Sequence, residues 1–194
     1  ALTFHAPNPK SSAAVIPHLV PLADRVKTIE LWARFDDVSL TRKEDQILLS
    51  RDAAKYALGG YLTIGRKKTD GAIAARLQKS PSERTFACAS PIMDKGWHHI
   101  AVTYDAASGA LKIYVDGVEG AYSGSVSGDT SYFLCNVKPL LANIDLNANE
   151  NPWTIGMGQR FSDEGDTNSL HDPFIGAIDE LRFHDKVLTS FPSM

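Results

Sequence analysis

No stretch of this sequence is both long and apolar: nothing approaches the roughly 20 residues that a membrane helix needs. No positively charged, apolar leader opens it, so the chain is expected to be a mature form that starts after any secretory signal. Basic runs are missing as well. The 20 Lys and Arg residues are scattered among 23 acids for a formal net charge of −3, and only Arg42-Lys43 and Arg66-Lys67-Lys68 cluster. Such a distribution lacks the electrostatic footprint of a nucleic-acid or membrane-surface binder, and neither partner is expected. Helical periodicity is nearly absent, and so is any repeat of roughly 20 to 50 residues. Cysteine is scarce: Cys88 and Cys135 are too far apart for a Cys-x-x-Cys metal motif. They form either one disulfide or two buried thiols, and a pair does not decide the redox compartment.

What the sequence does have is alternation. From Trp97 to Gly120, Ile100, Val102 and Tyr104 alternate with small or polar residues, Asp105 to Gly109 turn the chain, and Leu111, Ile113 and Val115 alternate again. Asp116-Gly117 then supplies a two-residue hairpin turn, since its Gly tolerates positive φ. Lys27 to Phe35 is a second strong strand, with Ile29, Leu31, Ala33 and Phe35 on one face and Glu30, Trp32 and Arg34 on the other. Further short strands are expected at 1–5, 13–16, 46–50, 60–65, 71–78, 153–159 and 174–184, and no regular structure between Gly120 and Pro152. With 43% hydrophobic residues over 194 positions, one sizeable core and a single domain, 1–194, are expected. The fold class is all-β, a two-sheet antiparallel sandwich with helix below about 10%.

The run WHHIAVTYD…IYVDG fits "W-H-x-[IVL]-x-x-x-[YW]-[DN]…[IVL]-Y-[VI]-D-G", and KTIELWARF and FIGAIDELRFH fit the flanking strands of the same pattern. In these motifs the chain resembles the laminin-G-like, pentraxin and concanavalin A-like jelly rolls. The resemblance implies a jelly-roll sandwich on a secreted or cell-surface protein. It also makes glycoside hydrolases and polysaccharide lyases relevant, because the superfamily contains both. The hydrolase arrangement E-x-D-x-x-E, which sets two carboxylates on one strand face about 5 Å apart, is absent. Asp179-Glu180 are adjacent and would project to opposite faces. The alginate-lyase motifs Q-[IV]-H and Y-F-K-A-G are absent too. His98 shares a face with Ile100 and reads as a buried, hydrogen-bonded imidazole. No catalysis is expected.

Two places suggest metal binding. In FIGAIDELRFH, Phe174, Gly176 and Ile178 share one phase and Leu181 and Phe183 the other, so a bulge is expected near Asp179-Glu180. Asp179 falls in phase with Leu181 and Phe183, at a core edge where its charge needs a partner: calcium, as the resemblance to jelly-roll carbohydrate modules implies, or an Arg, Lys or backbone N–H. In QRFSDEGDTNSLHD, Asp163, Glu164 and Asp166 supply closely spaced oxygens where pentraxins have an acidic calcium loop, and Asp52 joins them if two loops meet at one rim. For a sugar, which needs aromatic faces and planar polar groups, the candidates are Trp32, Arg34, Tyr61 and Tyr114. The function expected is a non-catalytic recognition module for a glycan or glycosylated surface, part of a larger secreted or surface protein. A structural or protein-binding adhesion domain is the alternative, and a divergent hydrolase or lyase a third.

Overall fold

A computed structural model describes residues 1–5, 13–17, 26–51, 60–80, 82–124, 131–136, 139–144, 146, 151–160 and 169–193. In chain order the strands are β1 (Leu2–Phe4), β2 (Ala14–Ile16), β3 (Thr28–Phe35), β4 (Gln46–Arg51), β5 (Tyr61–Arg66), β6 (Ala72–Gln78), β7 (Arg84–Pro91), β8 (Trp97–Asp105), β9 (Ala110–Val115), β10 (Val118–Glu119), β11 (Trp153–Ile155), β12 (Gly158–Arg160), β13 (Ser169–His171) and β14 (Gly176–His184). No helix occurs among the described residues. A first antiparallel sheet runs β1-β14-β3-β8-β9-β10, a second runs β2-β11-β4-β5-β6-β7, and β12 and β13 form a small third sheet. This is the expected two-sheet sandwich.

Alternation builds the interior. Ile29, Leu31, Ala33 and Phe35 of β3 and Ile100, Val102 and Tyr104 of β8 meet Leu49, Leu62, Ile64, Ala75 and Leu77 of the second sheet in one buried cluster. The Asp116-Gly117 turn has φ of 51° and 80°, both left-handed, as a two-residue hairpin turn whose twist matches its strands requires. Gly176 sits at φ 154° with the Arg34 carbonyl 1.9 Å from where a Cβ would be. Only glycine fits there, and the close approach seats β14 on β3.

Three expectations differ from the result. The strand expected over 153–159 is two, interrupted at Gly156 with φ 81°. β7 and β13 were not read from the sequence, because RTFACASP mixes polar, small and apolar residues on both faces, and SLH is only three residues long. The bulge in β14 exists, with a register shift between Asp179 and Arg182 and Glu180 at φ 48°. It lies after Asp179, so Asp179 pairs with Trp32 on the solvent side, and only beyond the bulge does Phe183 return to the core side opposite Ile29.

Cys88 and Cys135 form a disulfide across a separation of 47 residues. It ties β7 to the segment 131–136, which covers the second sheet's other face. Closing a loop of that length restricts the unfolded chain by about 4 kcal/mol in the chain-entropy estimate. We expect the double variant Cys88→Ala/Cys135→Ala to unfold at markedly lower urea, with the midpoint of the denaturation curve as the measurement. An unchanged midpoint would mean the cross-link does not constrain folding.

Candidate functional site

The second sheet has one face in the core and another facing away from it, and register fixes what lies on the latter. Ile47, Gly65, Ala74 and Cys88 are paired in sequence across β4 to β7 and form an apolar row. The next row is Thr154, Ser50, Thr63, Arg76 and Phe86 across β11 to β7. Beyond it come Tyr61, Gln78 and Arg84. The face is therefore apolar at one end and polar from its middle onward.

The apolar end is sealed. Phe133 and Cys135 pack with Ile47, Ala74, Phe86 and Cys88 in a second buried cluster. Their segment is fixed by Asp45, which accepts hydrogen bonds from Tyr132 N (2.6 Å), Lys68 N (2.8 Å) and Ser131 Oγ (3.0 Å). Burial pushes the Asp45 carboxyl above its usual range against the lowering effect of the Lys68 and Tyr132 amides.

That anchoring aims Tyr132 at the polar end. Its ring centroid lies 3.8 Å from the Arg76 guanidinium carbon, a cation–π contact that is strongest when desolvated, and 6.0 Å from the His171 ring. Arg76 Nη2 donates to Gln78 Oε1, Gln78 Nε2 donates to Ser80 O at 2.8 Å, and the Ser50 and Thr63 hydroxyls are 3.3 Å apart. Arg76, Gln78, Thr63, Ser50 and Tyr61 are all buried, whereas Tyr132, His171 and Arg84 are partly exposed and form a rim.

Of the residues expected to touch a sugar, Tyr61 is on this face and buried at 4% exposure. Trp32, Arg34 and Tyr114 are on the outer face of the first sheet. There the Trp32 ring packs edge-on to His99, and Arg34 is bonded to Asp36 and lies over Trp97. Glu30 Oε2 pairs with His99 and Oε1 with His184 and Arg182, while Tyr114 is covered by Phe191 of the C-terminal tail. The four do not converge. Arg76, Gln78 and Tyr132 were missed; the signal available was two polar side chains at alternate positions in the otherwise apolar GAIAARLQ.

Of the calcium candidates, Asp179 is the one among the described residues. It was expected at a core edge, but the bulge beyond it leaves its side chain 49% exposed, 3.5 Å from the Ala1 amino nitrogen and accepting the Glu180 N–H. No group of three or more His, Cys, Asp or Glu able to hold a metal occurs among the described residues. Asp52, Asp163, Glu164 and Asp166 lie outside the described residues.

The family described as the concanavalin A-like lectin/glucanases superfamily, a laminin-G-type family, matches residues 8–190. The chain belongs to this superfamily. Within it, the chain is similar to the CBM40 of a Ruminococcus gnavus IT-sialidase (TM-score 0.60, 14% identity, 87% of this chain and 80% of that one), also solved bound to α2,3-sialyllactose. It is similar to a pentraxin from Limulus polyphemus (0.53, 15%, 96% and 75%) and to the mouse laminin α1 domains LG4-5 (0.53, 18%, 98% and 44%). These identities show the shared fold. Comparison by sequence with curated proteins finds no match.

His98 is buried as expected, and it braces the β9–β10 hairpin: Nδ1 is 2.7 Å from Asp116 Oδ2 and Nε2 is 3.0 Å from Asp94 Oδ1. Burial disfavours the imidazolium, but the hydrogen bonds and charges of Asp116 and Asp94 prevail, and its pKa is raised above 6.5. A raised histidine contributes stability that is fully present below the unfolded value and is lost as pH rises through the folded one. We expect the urea midpoint to fall between about pH 6 and about pH 9, and to fall less in His98→Gln. Parallel profiles for the two proteins would contradict the assignment.

Proposed function

We propose that this domain is a non-catalytic recognition module whose ligand is an acidic glycan, bound on the outer polar face of the second sheet. The observation that carries the reading is the polar row itself. A sheet face that served only packing would continue the apolar row of Ile47, Ala74 and Cys88, because buried polar groups cost stability unless each is bonded. Here a cation, Arg76, sits instead in mid-sheet among Ser50, Thr63 and Gln78, with an aromatic ring upon it. Side chains on paired strands are held rigidly, and a guanidinium is suited to a sugar carboxylate because its planar donors match the carboxylate geometry. Tyr132 and His171 at the rim add the apolar and polar contacts a sugar ring needs.

Two further facts support the reading. A CBM40 of the same fold has been solved with sialyllactose, an acidic glycan. On the first sheet's outer face, the polar groups beside Trp32 are already engaged: Glu30 by His99, His184 and Arg182, and Arg34 by Asp36. Trp32 there lacks free partners for sugar hydroxyls. The fold also occurs in the LG4-5 domains of the mouse laminin α1 chain, and a glycosylated surface is the target proposed.

The test is a glycan array carrying neutral and sialylated structures, probed in calcium and in chelator. Binding to acidic glycans is expected. Because a hydrogen bond to a charged group contributes about 1.5–3 kcal/mol, Arg76→Gln should weaken it by at least about tenfold, with the thermal midpoint measured alongside to verify folding. Trp32→Ala should leave it unchanged. Binding that survives in folded Arg76→Gln and disappears in Trp32→Ala would move the site to the other sheet.

A further inference from the structure

The two sheets end together on one side, where β10 closes the first and β7 the second. The chain crosses between them at Gly120 to Tyr122: Gly120 N donates to Ile113 O at 2.7 Å, and Tyr122 N to Cys88 O at 3.0 Å. A Cβ on Gly120 would stand 2.6 Å from the Cys88 carbonyl oxygen, so glycine permits this crossing. On either side of it the seam is open. One cleft, of about 350 Å³, lies against Ile92, Val115 and Val118. The other, of about 250 Å³, lies against Phe86, Leu111 and Leu140. Glu119 and Gly120 border both.

Each cleft is bordered by an exposed apolar side chain: Val118, 69% exposed, at the larger and Leu140, 71% exposed, at the smaller. The charge of the larger cleft is predominantly negative. Asp94, Asp116 and Glu119 line it, with His98 between the two aspartates, and none of its lining residues is Lys or Arg. Hydrogen bonds from Gly96 N and His98 hold the Asp94 carboxyl below its usual range, keeping it ionised. The Glu119 carboxylate already has Lys112 at 3.0 Å, on the far side of the crossing, in the smaller cleft.

We propose that this seam is a docking groove for an extended segment of a partner protein that carries a Lys or Arg two residues from an apolar one, so that both side chains face the groove. The basic side chain enters the larger cleft. Its methylene stem lies on Ile92, Val115 and Val118, and its charged head reaches Asp94 and Glu119; Lys and Arg bury their stems on apolar surface while the charge meets acids. The apolar residue occupies the smaller cleft against Leu111 and Leu140. A glycan carboxylate would be repelled by the three acids, so this groove takes a ligand of opposite charge to the one proposed for Arg76.

The test is an NMR titration of the whole chain with an acetylated, amidated Leu-Thr-Lys tripeptide, and with the same peptide carrying Glu in place of Lys. The Lys peptide should shift the amides of Ile92, Val118 and Glu119 with millimolar affinity, and the Glu peptide should not. Asp94→Asn and Glu119→Gln, both at exposed positions, should each weaken binding about two- to fivefold, and added salt should weaken it further. No shift at those amides up to about 10 mM peptide, equal shifts with the Glu peptide, or an affinity untouched by both variants would each overturn the proposal. So would sialyllactose shifting the same amides.

Discussion

A sandwich of two sheets covers two faces and leaves two bare, and in this protein each bare face is handled differently. The first sheet's outer face is closed by the C-terminal tail, with Phe191 against Tyr114 and His99 and Thr28 Oγ1 bonded to Lys186 O and Leu188 N. The second sheet's outer face is closed over its apolar row by the segment that Cys135 and Asp45 pin down, and the side chains of its polar row are buried as well. Where that cover ends, the sheet becomes polar. The boundary falls at Tyr132, so the residue that completes the seal is also the one that lies on Arg76. Stability and recognition thus depend on the same anchor: losing the disulfide or the Asp45 bonds would uncover the apolar row and release the ring from the cation.

The charged groups fall into two kinds. Some are structural, such as the Asp94-His98-Asp116 chain that holds the hairpin and the Glu30 carboxylate shared by His99, His184 and Arg182. Each of these satisfies a buried imidazole, and none presents an activated nucleophile. Others, Arg76 on the second sheet and Glu119 at the seam, lie on the surfaces proposed for ligands, and Asp94 serves both the hairpin and the seam. If both proposals hold, opposite charges on separate surfaces let a single module hold an acidic glycan and a basic protein segment together.

The architecture was legible because alternation and turn chemistry are local. Ile29 to Phe35, Ile100 to Tyr104 and the Asp116-Gly117 turn each state a face or a reversal within a few residues. The site was not legible for the converse reason: Ser50, Thr63, Arg76 and Phe86 come from four strands and become a row only through register. Tyr132 reaches it from a stretch without alternation. Asp179 shows the same limit from another side, because a bulge can be inferred from two conflicting phases, but its position decides which side a residue faces, and one residue of difference moved that carboxylate into solvent. Tyr114 alternated as a surface residue should and is nonetheless buried, under a tail more than 70 residues away in sequence.

Recognition is proposed at the polar end of the second sheet. Backbone amide NMR with 3′-sialyllactose added to the isotope-labelled chain tests it most directly. Shifts concentrated on Thr63, Arg76, Gln78 and Tyr132 are expected, with the amides of Trp32, Arg34 and Tyr114 unmoved. Shifts confined to the first sheet's outer face would contradict it.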